Sequence, residues 1–264
     1  MEKPETNQTL EQDPFVKELF DVLKKYNPPG MEDIQDMIAN AAKIEQQITA
    51  ALAAVTAMRS ELAVFIKDNN HPIRNTLQNA INVIQGQIRQ LREQFETLKT
   101  NIIEGCKNVL AAFKDRGVSA LSGITKYFNV KPALEAIAKT CDQAAKDNTK
   151  TINKIERISK EYHKTGQHFK NIGRVITGKE LLTTMKPVGK VAKTVEAPVK
   201  AVRACNLVIR NAARDIAKSL SRLEKAADRP KPIKEQLETA TKQAAEHNAR
   251  ITPEKAKTTR AVEL

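Results

Sequence analysis

Apolar residues recur three and four positions apart over most of this chain, and where the recurrence stops, Pro, Gly or Asn stand instead. That spacing gathers them on one side of an α-helix. The first run is short: Phe15, Leu19, Val22, Leu23 and Tyr26, closed by Asn27-Pro28-Pro29-Gly30, which cannot continue a helix. Ahead of it, residues 1–14 carry Asn, Gln, Glu and two Pro without periodicity and read as a flexible arm.

From Ile34 the pattern becomes strict. Ile34, Met37, Ala41, Ile44, Ile48, Ala51, Val55, Met58, Leu62 and Phe65 alternate steps of three and four for more than four heptads. A helix covering them is about 48 Å long at 1.5 Å per residue. It ends at Lys67-Asp68-Asn69-Asn70-His71-Pro72, where the Asn pair and the pre-proline restriction favour a turn. A second seam follows directly: Leu77, Ile81, Ile84, Ile88, Leu91, Phe95, Leu98, Ile102, Gly105, Val109 and Ala112. Two seams of similar length joined by so short a turn predict an antiparallel coiled-coil hairpin.

Beyond Gly117, Leu121, Ile124, Tyr127 and Phe128 predict a broken helix that turns the corner before Lys131-Pro132 opens another long helix. Its seam, Leu134, Ala138, Cys141, Ala145, Asn148, Ile152, Ile155, Ser159, Tyr162, Gly166, Phe169, Gly173 and Ile176, is small and partly polar. Burying it gains less than burying a Leu-rich seam, but lets a neighbour approach closely. Residues 177–198, with Pro187, Gly189 and Pro198, read as a breakable connector; Val202, Cys205, Ile209, Ala212, Ile216, Leu220, Leu223 and Ala227 mark a last long helix. Arg229-Pro230-Lys231-Pro232 closes it. The expectation is all-α: an elongated antiparallel helical bundle with a long coiled-coil hairpin. Residues 15–116 form the short helix and hairpin, 117–229 a helical region on or beside it, and 230–264 a weakly helical to disordered polar tail.

Composition agrees with few breaks. Nine Gly and eleven Pro in 264 residues leave little to punctuate the chain, and 4% aromatics with no Trp argue against sandwiches, barrels and aromatic-lined pockets. No apolar stretch approaches the length that spans a bilayer, and the polar start, Met1-Glu2-Lys3-Pro4-Glu5-Thr6, lacks a secretory core. Cys106, Cys141 and Cys205 have neither zinc nor redox spacing, so reduced, packed thiols in a cytoplasm are expected.

Charge changes the picture more. The net charge is +13, but residues 1–116 carry 14 basic and 16 acidic side chains, whereas 146–234 carry 22 basic and 8 acidic. In the first helix of that segment Lys146, Lys150, Lys154, Arg157, Lys160 and Lys164 fall opposite the apolar seam. Arg210, Arg214, Lys218, Arg222, Lys225 and Arg229 repeat the arrangement in the last helix. Two cationic stripes suit a phosphate backbone or an anionic membrane surface, and equally a solvated outer face. Aromatic interleaving is absent, so any nucleic-acid contact is expected to be nonspecific.

Two motifs imitate chemistry. Gly173-Arg174-Val175-Ile176-Thr177-Gly178-Lys179 fits a phosphate-binding loop until Glu180 stands where a magnesium-holding hydroxyl belongs, and the residues before it continue a helical seam rather than a strand. His163 and His168 lie five residues apart, about 140° around a helix, and cannot share an ion. Glu161 and His168 share a face but lack further ligands. No catalytic constellation is legible, and neither an enzyme nor a cofactor is expected.

Several stretches together resemble an uncharacterised family of bacterial helical proteins: His71-Pro72-Ile73, Leu91 to Lys114, Lys131 to Ala136, Glu161 to Glu180, Glu196 to Cys205 and Leu220 to Ala227. The resemblance implies an all-helical domain of unknown function, carried as accessory cargo on integrative and conjugative elements of Gram-positive gut anaerobes, with no site residues to transfer. The combined expectation is a non-enzymatic interaction or scaffold protein, monomer or coiled-coil dimer. Its alternatives are a sequence-independent binder of anionic surfaces through 146–234 and, more remotely, a degenerate nucleotide-binding protein.

Overall fold

A computed structural model describes residues 9–65, 73–121, 123–177, 180, 190–227 and 241. Among them lie five α-helices and no strand: α1 (Pro14–Tyr26), α2 (Met31–Phe65), α3 (Ile73–Arg116), α4 (Lys131–Ile176) and α5 (Lys190–Ala227). The chain divides into two compact units, Met1–Glu224 and Lys225–Leu264. In the second, the described residues are 225–227 and 241, all helical, so Arg229 and all of the expected polar tail except Thr241 lie outside the described residues.

Local chemistry explains the helix ends. The Asp13 carboxylate accepts from the backbone N–H of Phe15 at 2.9 Å and of Val16 at 3.3 Å, with Pro14 at the first turn where an N–H has no partner to lose. Asn27 ends α1 in the left-handed conformation, φ 42°. Gly30 follows at φ +85°, and a side chain there would run into Leu223 of α5. Between α3 and α4 the corner is made of two 3-10 turns, Gly117–Leu121 and Ile124–Tyr127, so the predicted broken helix is two short pieces.

The first two seams are buried as the spacing predicts. From Ile34 to Leu62 every seam residue of α2 is in the core, and from Leu77 to Val109 every one of α3. The Phe65 side chain and the turn through His71 lie outside the described residues. Lys99 of α3 pairs with Glu45 of α2 at 3.3 Å, a register in which the two helices run antiparallel. Gln87 donates to Asp147 at 3.3 Å and Gln94 to Thr140 at 3.1 Å, so α4 runs antiparallel to α3. Arg210 on Asp142 and Arg203 on Thr149 set α5 antiparallel to α4. Arg222 on Asp33, with Leu223 against Gly30, brings α5 back to the start of α2. The four long helices thus form an antiparallel bundle in which each touches the next and the last touches the first, around one continuous core.

Three sequence expectations need correction. The arm read over residues 1–14 is structured from Leu10: a 3-10 turn, Leu10–Gln12, seats the Leu10 side chain fully in the core, and its N–H donates to Glu45 at 3.3 Å. One buried leucine in a polar context gives no periodic signal. The connector read over 177–198 is helical from Lys190, with Pro198 inside α5. Proline removes one helical hydrogen bond, a loss that burial of the adjoining Val199 and Val202 offsets. Finally, the α4 seam is buried only as far as Ser159; Phe169 is 71% exposed and Ile176 79%, while Tyr162 and Gly166 lie outside the described side chains.

Candidate functional site

The outward face of α4 gathers the densest unbalanced charge. Lys146, Lys150, Lys154, Arg157, Lys160 and Lys164 are all exposed, opposite the buried Cys141, Asn148, Ile152 and Ile155. Lys150 meets Asp147 at 3.5 Å and Lys164 meets Glu161 at 2.8 Å, each within its own turn. The Lys164 hydrogen bond and charge hold the Glu161 carboxyl below its ordinary range. Among the described residues Lys146, Lys154, Arg157 and Lys160 have no carboxylate within ion-pair distance. A cavity of about 750 Å³ opens on this face, lined among the described residues by Lys150, Asn153, Lys154, Arg157, Ile158, Glu161 and Thr165.

The second stripe is used differently. Arg210 and Arg214 both grip Asp142 of α4, at 3.0 and 2.9 Å, and Arg222 reaches Asp33 of α2 at 2.7 Å with Asp36 at 3.8 Å. Lys218 pairs locally with Asp215 at 3.0 Å, and Lys225 is exposed. Three of the arginines expected on an anionic surface therefore tie α5 to its neighbours. The acceptors lie 68, 72 and 189 residues away in sequence, beyond the reach of any local pattern. The structure brings the α4 stripe together as a surface with few carboxylates against it, whereas Arg210, Arg214 and Arg222 of the α5 stripe, two of them still exposed, are paired with carboxylates of neighbouring helices.

The chemical imitations find no setting. Gly173 to Ile176 form the last turn of α4, so a helix and not a strand leads into the glycine-lysine pair; Gly178 and Lys179 lie outside the described residues, and Glu180 is exposed. His168 is exposed, and the His163 side chain lies outside the described ones, as does all of His247. Among the described residues no three His, Cys, Asp or Glu side chains gather as metal ligands. All three cysteines are buried; burial, reinforced by Asp13 beside Cys106 and Asp142 beside Cys141, pushes those two thiols up to about 12, and burial also raises Cys205. Thiols so placed are poor nucleophiles.

With this geometry in hand, comparison with known proteins places the chain. A family model, DUF6674, described as a family of unknown function, matches residues 12–260. The chain belongs to DUF6674. The match covers α1 to α5, so the helical bundle is the architecture of a DUF6674 domain. No curated protein and no solved structure matches this DUF6674 chain. No described helix is long and apolar enough to cross a membrane.

Proposed function

We propose that this protein is a non-enzymatic helical interaction protein, working in the cytoplasm as an accessory of a mobile genetic element, and that it docks an anionic partner on the outward face of α4. The observation that carries the docking face is the contrast between the two stripes: four cations of α4 stand exposed without a carboxylate partner among the described residues, while Arg210, Arg214 and Arg222 are each paired with a carboxylate of a neighbouring helix. Unpaired cations at helical spacing along a rigid rod match repeating negative charge better than they match one small ligand. The mobile-element setting rests on the sequence resemblance alone, and a mating assay with the gene deleted from such an element tests it through transfer frequency.

Titration of labelled DNA duplex at several salt concentrations tests the docking face. The wild-type protein binds at low salt, and Lys146→Gln, Lys154→Gln, Arg157→Gln and Lys160→Gln combined flatten the salt dependence by roughly 0.9 in slope per phosphate contact removed. Lys218→Gln, which leaves the α4 face intact, changes little. Absence of any binding to polyanions at low salt refutes the reading.

A further inference from the structure

Antiparallel register fixes where the helices of the bundle run out. Continuing the α3 to α4 register from Gln87 with Asp147 and Gln94 with Thr140 sets the first residue of α3, Ile73, roughly level with Glu161. Continuing the α4 to α5 register from Arg203 with Thr149 sets the first residue of α5, Lys190, at nearly the same height. Helix α4 continues to Ile176, so its last turns overhang the ends of both neighbours by roughly 20 Å at 1.5 Å per residue. Ser159 is the last described seam residue that is buried, and Phe169 and Ile176 beyond it are exposed although the apolar spacing continues.

What remains is an amphipathic stub. Phe169, Ile172 and Ile176 recur at three and four on one face and are 71%, 57% and 79% exposed. Away from that face stand Lys164, Lys170 and Arg174, and residues 162–177 contain no Asp or Glu. Pairing two copies through that face would leave the cations pointing outward with no anion supplied to meet them. Aromatic and aliphatic side chains on one side, with cations and uncharged polar residues but no carboxylate of residues 162–177 on the other, are instead the composition of a helix lying in the interface of a lipid bilayer. Anionic headgroups supply the complementary charge.

We propose that the overhanging end of α4 binds an anionic lipid surface, inserting Phe169, Ile172 and Ile176 among the acyl chains while Lys164, Lys170 and Arg174 meet headgroups. This deepens the reading of α4 as a docking helix for anionic partners and rests on it for the charge, but its apolar component is independent of the stripe from Lys146 to Lys160.

Flotation of the full chain with phosphatidylglycerol vesicles and with phosphatidylcholine vesicles tests it, alongside the DNA duplex titration and mass measurement at several concentrations. The expected result is binding to the anionic vesicles alone, weakened about tenfold or more by F169S/I172S/I176S, which removes large apolar surface from the insertion. These positions are exposed, so the variant keeps its helical circular dichroism, and its duplex binding is unchanged. No vesicle binding at low salt overturns the proposal even if duplex binding persists, and in that case the α4 docking reading stands. Equal vesicle binding by the variant also overturns it, since charge alone then suffices. A concentration-dependent dimer abolished by the same three substitutions, without vesicle binding, assigns the stub to a second copy.

Discussion

The α2 to α3 hairpin and the α4 to α5 pair are both antiparallel and both buried along a heptad seam, yet they are held by different forces. The hairpin's seam is apolar throughout and mostly Ile, Leu, Met and Phe, and Ile44, Met58, Ile84 and Leu91 are 1% exposed or less. Its cohesion is apolar burial, which salt does not screen. The other seam mixes Ile, Leu and Val with Ala, Cys and polar residues: Ile155, Ile209 and Ile216 are fully buried, and so, nearly, are Asn148, Ser159, Glu196, Asn206 and Ser219. Among the described residues Asn148 Nδ2, Asn206 Oδ1 and Glu196 Oε1 have no hydrogen-bond partner, although Glu196 accepts from Lys200 at 2.8 Å through its other oxygen; on the α4-facing side of α3, Gln87 Oε1 and Gln94 Oε1 are likewise without one. Buried polar atoms without partners cost stability. Exposed ion pairs at Asp142 and Asp33 add to the apolar core of α5 rather than replace it. One fold thus joins a half with an almost wholly apolar seam to a half whose seam also holds buried polar groups and interhelical ion pairs, and the second half is the one whose outward cations on α4 lack carboxylate partners among the described residues.

The largest separation of the two halves is expected from core truncation. Leu91→Ala should cost about 2–5 kcal/mol in denaturant unfolding, whereas Cys205→Ala on α5 should cost about 1 kcal/mol. Equal costs would break the comparison. A smaller effect concerns charge: Asp142→Asn should destabilise by about 1 kcal/mol at low salt, since its partners are between a quarter and a half exposed, and the deficit should shrink at high salt. A deficit independent of salt would make the contact one of packing. Smallest is a glycine pair within α3. Gly86 is exposed with open space around it, so Gly86→Ala should stabilise by about 0.5–1 kcal/mol in thermal melts. Gly105→Ala should reverse that sign, because the Phe128 ring lies where the methyl would go.

Much of the bundle was legible because heptad spacing is local information. The seams from Ile34 to Leu62 and from Leu77 to Val109 could be read residue by residue, and the stop at Asn27-Pro28-Pro29-Gly30 follows from backbone chemistry. Legibility failed where a decision depends on distant sequence. Phe169 and Ile176 fit the α4 seam by spacing, but their exposure follows from where α3 and α5 begin. Pro198 looked like a helix end because proline opposes helix locally, and only the burial of Val199 and Val202 outweighs it. At the candidate site, both stripes were visible as periodic charge. Their division into a free face and an engaged one was not, because Asp33 and Asp142 carry no local mark of their partners.

Contact between Arg222 and Asp33 joins residues 189 apart in sequence, while the other helix pairs of the bundle are consecutive along the chain. During synthesis each of α3 and α4 emerges next to a neighbour already made, so those pairings close short loops quickly. Among the four long helices α5 alone has to find a partner that is not its neighbour along the chain, the start of α2, and it does so through an ion pair and the narrow notch at Gly30. Without that contact three antiparallel long helices would leave the apolar edges of α2 and α4 uncovered, so the arrangement predicts that α5 docks last and closes a ring.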